Sequence, residues 1–410
     1  DQGIIDAAQK LGDETIAVTD LAQAQAAGLV SIVGEPEEAA YWAYVTGQAI
    51  GTNRDAKVVY SPLQGVGMRC VVPVLERAGF ADVHVVASQA APSSEFEAVA
   101  DGIANPEVPK AMGEVLALCS ELDADAGIAS DPDADRIGYV ARDREAEGGY
   151  RFFTGNQIGV LVTWHVCHQR FRTRQMPARP VLLKTAVTTE LITRIAADHG
   201  VEVIGDLPVG FRWMGETLDV TVEDQRLVAA IEESHGVNCG GRVRDKDAAS
   251  AALALCELTA ELKAAGQTAS DLLDMLYRRY GLHLEYLHNE TMAERRDMEA
   301  LLGNLRRHPP KQVEGLPVIS IEDRLSGCFK DRNTGQPVVE DFLIYELGAG
   351  KHLSSVRLAM RPSGTEPKLK VYALGRRDLV SGESLKRAKS AAARLLQSLP
   401  GKLLALARHA

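Results

Sequence analysis

The stretch ASDPDADRIGYV, residues 129–140, sets Asp131, Asp133 and Asp135 at every second position, with Arg136 directly behind them. Like charges a few ångströms apart repel by about 4 kcal/mol per pair at a surface-like dielectric, so something positive is expected among them. One arginine does not balance three carboxylates. The run lies between two apolar segments, AGIAS and IGYVARD, and so sits at a strand's carboxyl end, where open α/β sheets hold their ligands. Its spacing resembles the opening of a calcium-binding EF-hand loop, but the sixth position is Arg136 instead of glycine and the twelfth is Arg142 instead of glutamate. Hard carboxylate oxygens on a tight loop stiffened by Pro132 suit a small divalent cation such as magnesium, with water or a phosphate oxygen as further ligands. The plain alternative is a solvated acidic turn.

Outward from this loop the chain alternates apolar and helical segments. KVVYSP, GMRCVVPVLERAGF, ADVHVVAS and VPKAMGEVLALCSEL precede AGIAS, an order that predicts an open α/β sheet. The same grammar restarts at PVLLKT (180–185), continues through TTELITRIAADHG, VEVIG and LVAAIEES, and ends in a long helix over about 247–265. A polar joint near RRHPPKQVEG leads to a third unit with strands around LPVISIE, SSVRLAMR and KLKVYAL and a closing helix SLKRAKSAAARLLQSL, which reads as α+β. Residues 1 to about 50 read as helical and resemble the tail of a domain. The fold class expected is therefore α/β, multi-domain, with repeated α/β domains and a C-terminal α+β domain.

The 410 residues suffice for two to four domains, and 46% hydrophobic with 25% charged residues is ordinary for a soluble globular protein. A net charge of −11 argues against a general nucleic-acid or anionic-membrane binder, while permitting a local basic pocket. The six cysteines, Cys70, Cys119, Cys167, Cys239, Cys256 and Cys328, form no CxxC pair and read as reduced core residues of a cytoplasmic protein. No apolar run reaches the roughly 18 residues of a membrane span, and the first residues lack the order of a signal peptide. The chain starts without methionine, and reads as a fragment or as the ordered part of something longer.

A second motif, RPSGTEPKLK (361–370), offers the forked cation Arg361, the hydroxyls of Ser363 and Thr365, and a Gly364-centred turn whose N–H groups can form an anion nest. Lys368 and Lys370 fall on one face of the outgoing strand. Together they read as a phosphate cradle. LPVGFRWMGE (207–216) carries Gly210 before the cation Arg212, and IEESHGVNCGGRVRDKD (231–247) carries Glu232 and Ser234, able to bond paired hydroxyls, then Lys246 between two aspartates. Each of these two loops alone reads more readily as an ordinary surface turn than as a site.

In their order along the chain, DPDADR, GFRWMGE, EESHG with RDKD, and RPSGTEP resemble the α-D-phosphohexomutases, the family of phosphoglucomutase and phosphomannomutase. The resemblance covers nearly the whole chain. YSPLQGVG, TGNQIG and KTAVTTE are similar to the subgroup holding the phosphopentomutases and glucose-bisphosphate synthases. The resemblance implies four domains around a cleft. Residues 1–56 would be the end of domain 1, 57–174 an α/β domain 2 with the metal loop, 175–300 an α/β domain 3 with the sugar loops, and 310–410 an α+β domain 4 with the phosphate loop. It implies an intramolecular phosphotransferase that moves a phosphoryl group within a sugar phosphate by way of a sugar bisphosphate, using Mg2+ and a phosphoserine.

By the same resemblance Asp131, Asp133 and Asp135 match the metal ligands and Arg136 the arginine beside the reacting phosphoryl group. Gly210 and Arg212 fall in a substrate-contacting loop, where many relatives carry a lysine in place of Arg212. Glu232 and Ser234 match the sugar-hydroxyl readers, and Arg361, Ser363, Gly364, Thr365 and Lys370 the grip on the phosphate that is not transferred. Lys246 aligns approximately with a general acid/base lysine; other members use a histidine where this chain has Gly236, with His235 a candidate substitute first read as structural.

The chain departs from the family in one large respect: no Thr-Ala-Ser-His-Asn-Pro-like serine loop occurs in the 410 residues. PSSEFE at 92–97 and Gln64 are smaller departures. The expected function is accordingly a phosphosugar mutase whose phosphoserine lies outside this chain, the chain alone being inactive, with a small-molecule sugar phosphate as partner and neither nucleic acid nor membrane. The alternative is a truncated, catalytically inactive protein that binds magnesium and sugar phosphates. A metal-dependent phosphatase is a third reading, for which no nucleophile or second metal site is visible.

Overall fold

In the computed structural model, residues 2–11, 18–220, 226–331, 334–363 and 368–408 are described. The chain divides into two compact units, 1–43 and 44–410. The first holds α1 (Gln2–Leu11), α2 (Leu21–Ala26) and the start of α3 (Glu35–Thr46). Asp20 starts α2 by accepting hydrogen bonds from the backbone N–H groups of Ala22 and Gln23.

The second unit contains three sheets. The first has the order β2-β1-β3-β4-β5, from β1 (Val58–Ser61), β2 (Val83–Val85), β3 (Ala126–Ser130), β4 (Ile137–Arg142) and β5 (Tyr150–Phe153). β1, β2 and β3 run parallel, while β4 and β5 add antiparallel hairpin strands. VVYS and AGIAS are buried at every position, as a parallel strand covered on both faces must be. The cover comes from α4 (Val71–Arg77), α5 (Gly113–Leu122) and α6 (Gly155–Arg172), the last opened by a capping box between Thr154 and Gln157.

The second sheet has the order β7-β6-β8-β9, from β6 (Val181–Thr185), β7 (Glu202–Leu207), β8 (Leu227–Glu232) and β9 (Gly236–Asn238), the first three parallel. With it go α7 (Glu190–Asp198), α8 (Arg212–Val220), α9 (Ala248–Ala264) and α10 (Ala269–Tyr280). Helix α9 is buried along almost its whole length, because it packs against α4, α6, β3 and β9 and so serves both sheets.

The third sheet is antiparallel, with order β10-β15-β14-β13-β12-β11. Its strands are β10 (Leu282–Thr291), β11 (Gln312–Val313), β12 (Leu316–Asp323), β13 (Leu343–Leu347), β14 (Ser355–Pro362) and β15 (Lys368–Arg377). Helices α11 (Arg295–Arg307) and α12 (Leu385–Arg408) pack on it. Residues 282–291, placed by sequence in the third domain, pair along their whole length with β15 of this last sheet. The closing helix also runs past its expected end, through Pro400 to Arg408. Four of the six cysteines are buried, whereas Cys328 is exposed. Among the described residues no helix is long and apolar enough to cross a membrane.

Candidate active site

The acidic loop leaves the carboxyl end of β3 and turns at Ala134, whose φ of 58° is left-handed. Asp131 organises the turn locally. Its Oδ1 accepts from the N–H groups of Asp135 (3.0 Å) and Arg136 (2.8 Å), and its Oδ2 from Arg136 Nε (2.6 Å). Asp131 is buried, Asp135 half-buried and Asp133 exposed, and each offers an oxygen within 4.8 Å of the others. Burial pushes the Asp131 carboxyl up to about 6, and the neighbouring Asp135 charge adds to this, against the opposing hydrogen bonds of Arg136. Asp135 Oδ1 is hidden from solvent and has no hydrogen-bond partner among the described residues. A buried carboxylate oxygen without a hydrogen bond, its cation contact being Arg136 Nε at 3.7 Å, beside two further carboxylates fits a hard cation such as Mg2+, which would satisfy it.

Neighbouring segments hold the loop from several sides. Val66 donates its N–H to the Pro132 carbonyl (2.8 Å), and Gly65 lies so close that a Cβ there would meet the Pro132 Cα at 2.2 Å. Ala248, the first residue of α9, donates to the Ala134 carbonyl (3.1 Å). On the far flank Ile137 donates to the His235 carbonyl (3.0 Å), while His235 Nδ1 meets the Ile137 carbonyl at 2.9 Å. A carbonyl only accepts, so Nδ1 carries the proton. His235 is buried and its pKa is lowered by that burial, so it joins the two sheets as a structural residue.

That clamp also positions the second loop. Glu232 ends β8 and is 6% exposed; burial, then the charge of Glu233, pushes its carboxyl up to about 7. Glu233 is fixed by hydrogen bonds from the hydroxyls of Thr185 (3.0 Å) and Thr188 (3.4 Å). Lys246 returns over the acidic loop, with Nζ 2.8 Å from Asp135 Oδ2 and 3.0 Å from Asp245 Oδ1. Burial works against its ammonium, but the two aspartates outweigh it and its pKa is raised. It therefore stands as a proton-bearing cation.

A cleft of about 280 Å³ brings together Glu232, Ser234, Arg361 and Lys370. Arg361 on β14 and Lys370 on β15 are direct cross-strand partners, so both project from one face. Tyr372, two residues on, also lines the cleft, with its hydroxyl 3.5 Å from Arg361 Nε. Ser363 N–H donates to the Lys368 carbonyl (2.8 Å), closing the base of the loop; Gly364 and Thr365 lie outside the described residues.

Asp131, Asp133, Asp135, Arg136 and Lys246 do not line this cleft, but Arg136 reaches it through Glu107, whose Oε1 is 3.0 Å from the guanidinium and which does line it. Gly210 and Arg212 also stand outside it. Arg212 is the exposed first residue of α8, its guanidinium 4.9 Å above the Trp213 ring. Sequence reasoning missed Glu107, Glu233, Glu285 and Tyr372. Strand alternation from Lys370 was enough to find Tyr372; Glu107 comes from the loop NPEVPK, which carries no motif.

Two α/β sheets with carboxylates at the carboxyl ends of β3 and β8, and an antiparallel sheet that sets Arg361 opposite Lys370, define a mixed α/β protein of repeated α/β units followed by an α+β unit. The phosphoglucomutase/phosphomannomutase family models match here: alpha/beta/alpha domain II over residues 39–146 and domain III over 154–280. The chain belongs to the α-D-phosphohexomutase family. A phosphoglucomutase of Staphylococcus epidermidis is 33% identical over 322 residues, which cover 78% of this chain and 57% of the relative. One of Staphylococcus aureus is 31% identical over 328 residues, covering 78% and 56%. The chain thus spans little more than half the length of these curated relatives. Among solved structures, parafusin, a phosphoglucomutase from Paramecium, superposes with a TM-score of 0.62 over 91% of this chain and 62% of its own, at 15% identity, a likeness of fold.

Proposed function

We propose that this chain supplies the metal, sugar and remote-phosphate sites of a phosphosugar mutase that acts with a phosphoserine outside these residues. The observation that carries this is the joining of two sites: a carboxylate trio with a buried oxygen that accepts no hydrogen bond is linked through Arg136 and Glu107 to a cleft that pairs sugar-reading Glu232 and Ser234 with Arg361 and Lys370. In this reading residues 1–56 are the end of domain 1 and 57–174 are domain 2, and domain 3 passes to domain 4 ahead of β10, earlier than the boundary at 300 read from sequence.

Asp131, Asp133 and Asp135 would hold Mg2+, which when bound supplies Lewis-acid polarisation of a phosphoryl oxygen. Arg136, held by Asp131 and Glu107, presents a fixed guanidinium beside that place, where charge develops in phosphoryl transfer. Glu232 and Ser234 bond sugar hydroxyls. Arg361 and Lys370 grip the phosphate that is not transferred, with Ser363, Gly364 and Thr365 completing the loop, and this remote binding orients the reacting end. Lys246 carries a proton next to Asp135 and is placed to act as the general acid. Gly210 and Arg212 stand outside the cleft described here, and their contact with substrate would need the sheets to close further. The substrate class is a hexose or pentose phosphate, with a sugar bisphosphate as the intermediate.

The test is calorimetric binding of Mg2+ and of a hexose bisphosphate to this chain, followed by mutase turnover with and without the amino-terminal serine-loop segment of a relative. Binding of both, with turnover only on adding that segment, is the expected result. Binding without turnover in either case favours the non-catalytic sugar-phosphate binder, and failure to bind either ligand overturns both readings.

A further inference from the structure

A second cavity, of about 260 Å³, lies between α7 and the strands β10, β13, β14 and β15. It is separate from the cleft, but Glu285 and Leu374 line both. Three guanidiniums, Arg194, Arg357 and Arg376, and the hydroxyls of Thr193 and Ser355 are in its wall. The carboxylates opposite are Glu190, Glu285 and Glu346.

Most of these charges are already committed. Arg357 forks onto Glu346 (2.6 Å) and the Ala186 carbonyl (3.0 Å), with Glu190 at 3.6 Å. Glu190 also holds the buried ammonium of Lys184 at 3.0 Å, and Arg376 pairs with Asp378. Arg194 is different. It is exposed, forms no salt bridge among the described residues, and its charge acts at longer range on the Asp378 carboxylate and on the His283 ring.

The second unspent group is His283, 3% exposed and in the cavity wall. Its Nδ1 lies 3.0 Å from the Gly281 carbonyl, and a carbonyl only accepts, so Nδ1 bears the proton. Burial holds the ring neutral. Nε2 is therefore a bare lone pair, buried and without a partner among the described residues. A buried acceptor with no donor is costly, so the group that fills the cavity should bring an O–H or N–H. The guanidinium of Arg194, which has no carboxylate within salt-bridge distance among the described residues, calls for an anionic counterpart on the same group.

We propose that this cavity is a second ligand site for a small hydroxylated anion, a phosphomonoester or a carboxylate, which sets its charge against Arg194 and donates a hydroxyl to His283 Nε2. The volume is below the roughly 300 Å³ at which drug-sized ligands start, and so suits a short-chain metabolite. Because Glu285 and Leu374 face both spaces, a ligand here touches the wall of the cleft as well.

The experiment uses the full chain with Arg361→Ala and Lys370→Ala, which disables the phosphate grip of the cleft, and titrates it calorimetrically with glycerol 1-phosphate, methyl phosphate and glycerate. Glycerol 1-phosphate or glycerate should still bind at one site, and adding Arg194→Glu should weaken that binding by at least about tenfold, as loss of a charge-assisted contact does. Methyl phosphate, which lacks the hydroxyl, should bind about fivefold more weakly than glycerol 1-phosphate, in line with one neutral hydrogen bond. His283→Leu should erase that preference; should this variant fail to fold, the comparison of probes on unmutated His283 gives the same information. No binding in the Arg361→Ala/Lys370→Ala chain, binding indifferent to Arg194→Glu, or equal binding of glycerol 1-phosphate and methyl phosphate overturns the proposal. The unmutated chain still reports on the cleft, so failure here leaves the mutase reading to its own test.

Discussion

The acidic loop and the pair Arg361–Lys370 are built on opposite principles. The loop is irregular backbone held from outside: by Val66 on Pro132, by Ala248 on Ala134, and by His235 on Ile137. The basic pair needs no such props, because an antiparallel register sets the two side chains opposite each other. Groups that act on developing charge must be held in place before the reaction, whereas long cations that bind a phosphate can adjust. The loop is therefore expected to govern turnover and the pair to govern binding.

That contrast breaks most directly at Asp133, exposed and free of structural duties that Asp131 carries. In a protein completed by a serine loop, Asp133→Asn should lower kcat by at least about 100-fold while KM shifts far less, as loss of a transition-state interaction does. Unchanged turnover would remove Asp133 from the metal site. Arg361→Ala should do the reverse. We expect KM to rise about 30-fold, the worth of a charge-assisted phosphate contact, with a smaller change in kcat; steady-state kinetics on a hexose phosphate decides, and equal loss in both constants would dissolve the division of labour.

A third change addresses the props themselves. A Cβ at Gly65 would stand 2.2 Å from the Pro132 Cα, an atom that cannot move without the loop. Gly65→Ala should destabilise the unit by about 1–3 kcal/mol, the usual range for overpacking, and weaken Mg2+ binding without altering any ligand. Denaturation and metal titration read the two effects. Normal metal affinity in a destabilised variant would mean that the loop shape does not depend on this contact.

The same contrast explains what could be read from the sequence. DPDADR announces itself because its function lies in side chains packed into a few consecutive residues. β14 and β15 were legible as strands, and with β15 the shared face of Lys368 and Lys370, whereas the register that sets Arg361 opposite Lys370 came only with the structure. Glu107 and Glu285 were not, since each reaches its site across a sheet-to-sheet contact from a segment with no local signature. LHLEYLHNET was assigned to the third domain by its position alone, and nothing in its residues says that it pairs with β15 of the last sheet. His235 could be judged structural in advance, yet the carbonyl it holds, that of Ile137, is 98 residues away. Local chemistry was legible; pairings across long sequence separations were not.

The smallest effect concerns the lining of the second cavity, where Glu285, shared with the cleft, and the buried His283 titrate in opposite senses. Burial raises the Glu285 carboxyl from an ordinary 4.5 to about 7, against a hydrogen bond from Thr189. Between those values the folded state binds more protons than the unfolded, so this contribution is full below about pH 4.5 and is lost as pH rises through about 7. Burial lowers His283 from an ordinary 6.5 to about 4, so its contribution is full above about pH 6.5 and is lost as pH falls through about 4. Across the shared window the two slopes oppose and largely cancel. Glu285→Gln removes one of them. The variant should gain stability relative to the parent as pH rises from about 5 to 8, by on the order of 1 kcal/mol once solvent screening of the half-buried carboxylate is allowed for. Urea midpoints measured for both proteins at intervals over that range test this directly, and Glu232, present in both, drops out of the difference. Parallel pH profiles would mean that Glu285 meets solvent freely enough to ionise at no cost, and that the wall between the two spaces is open.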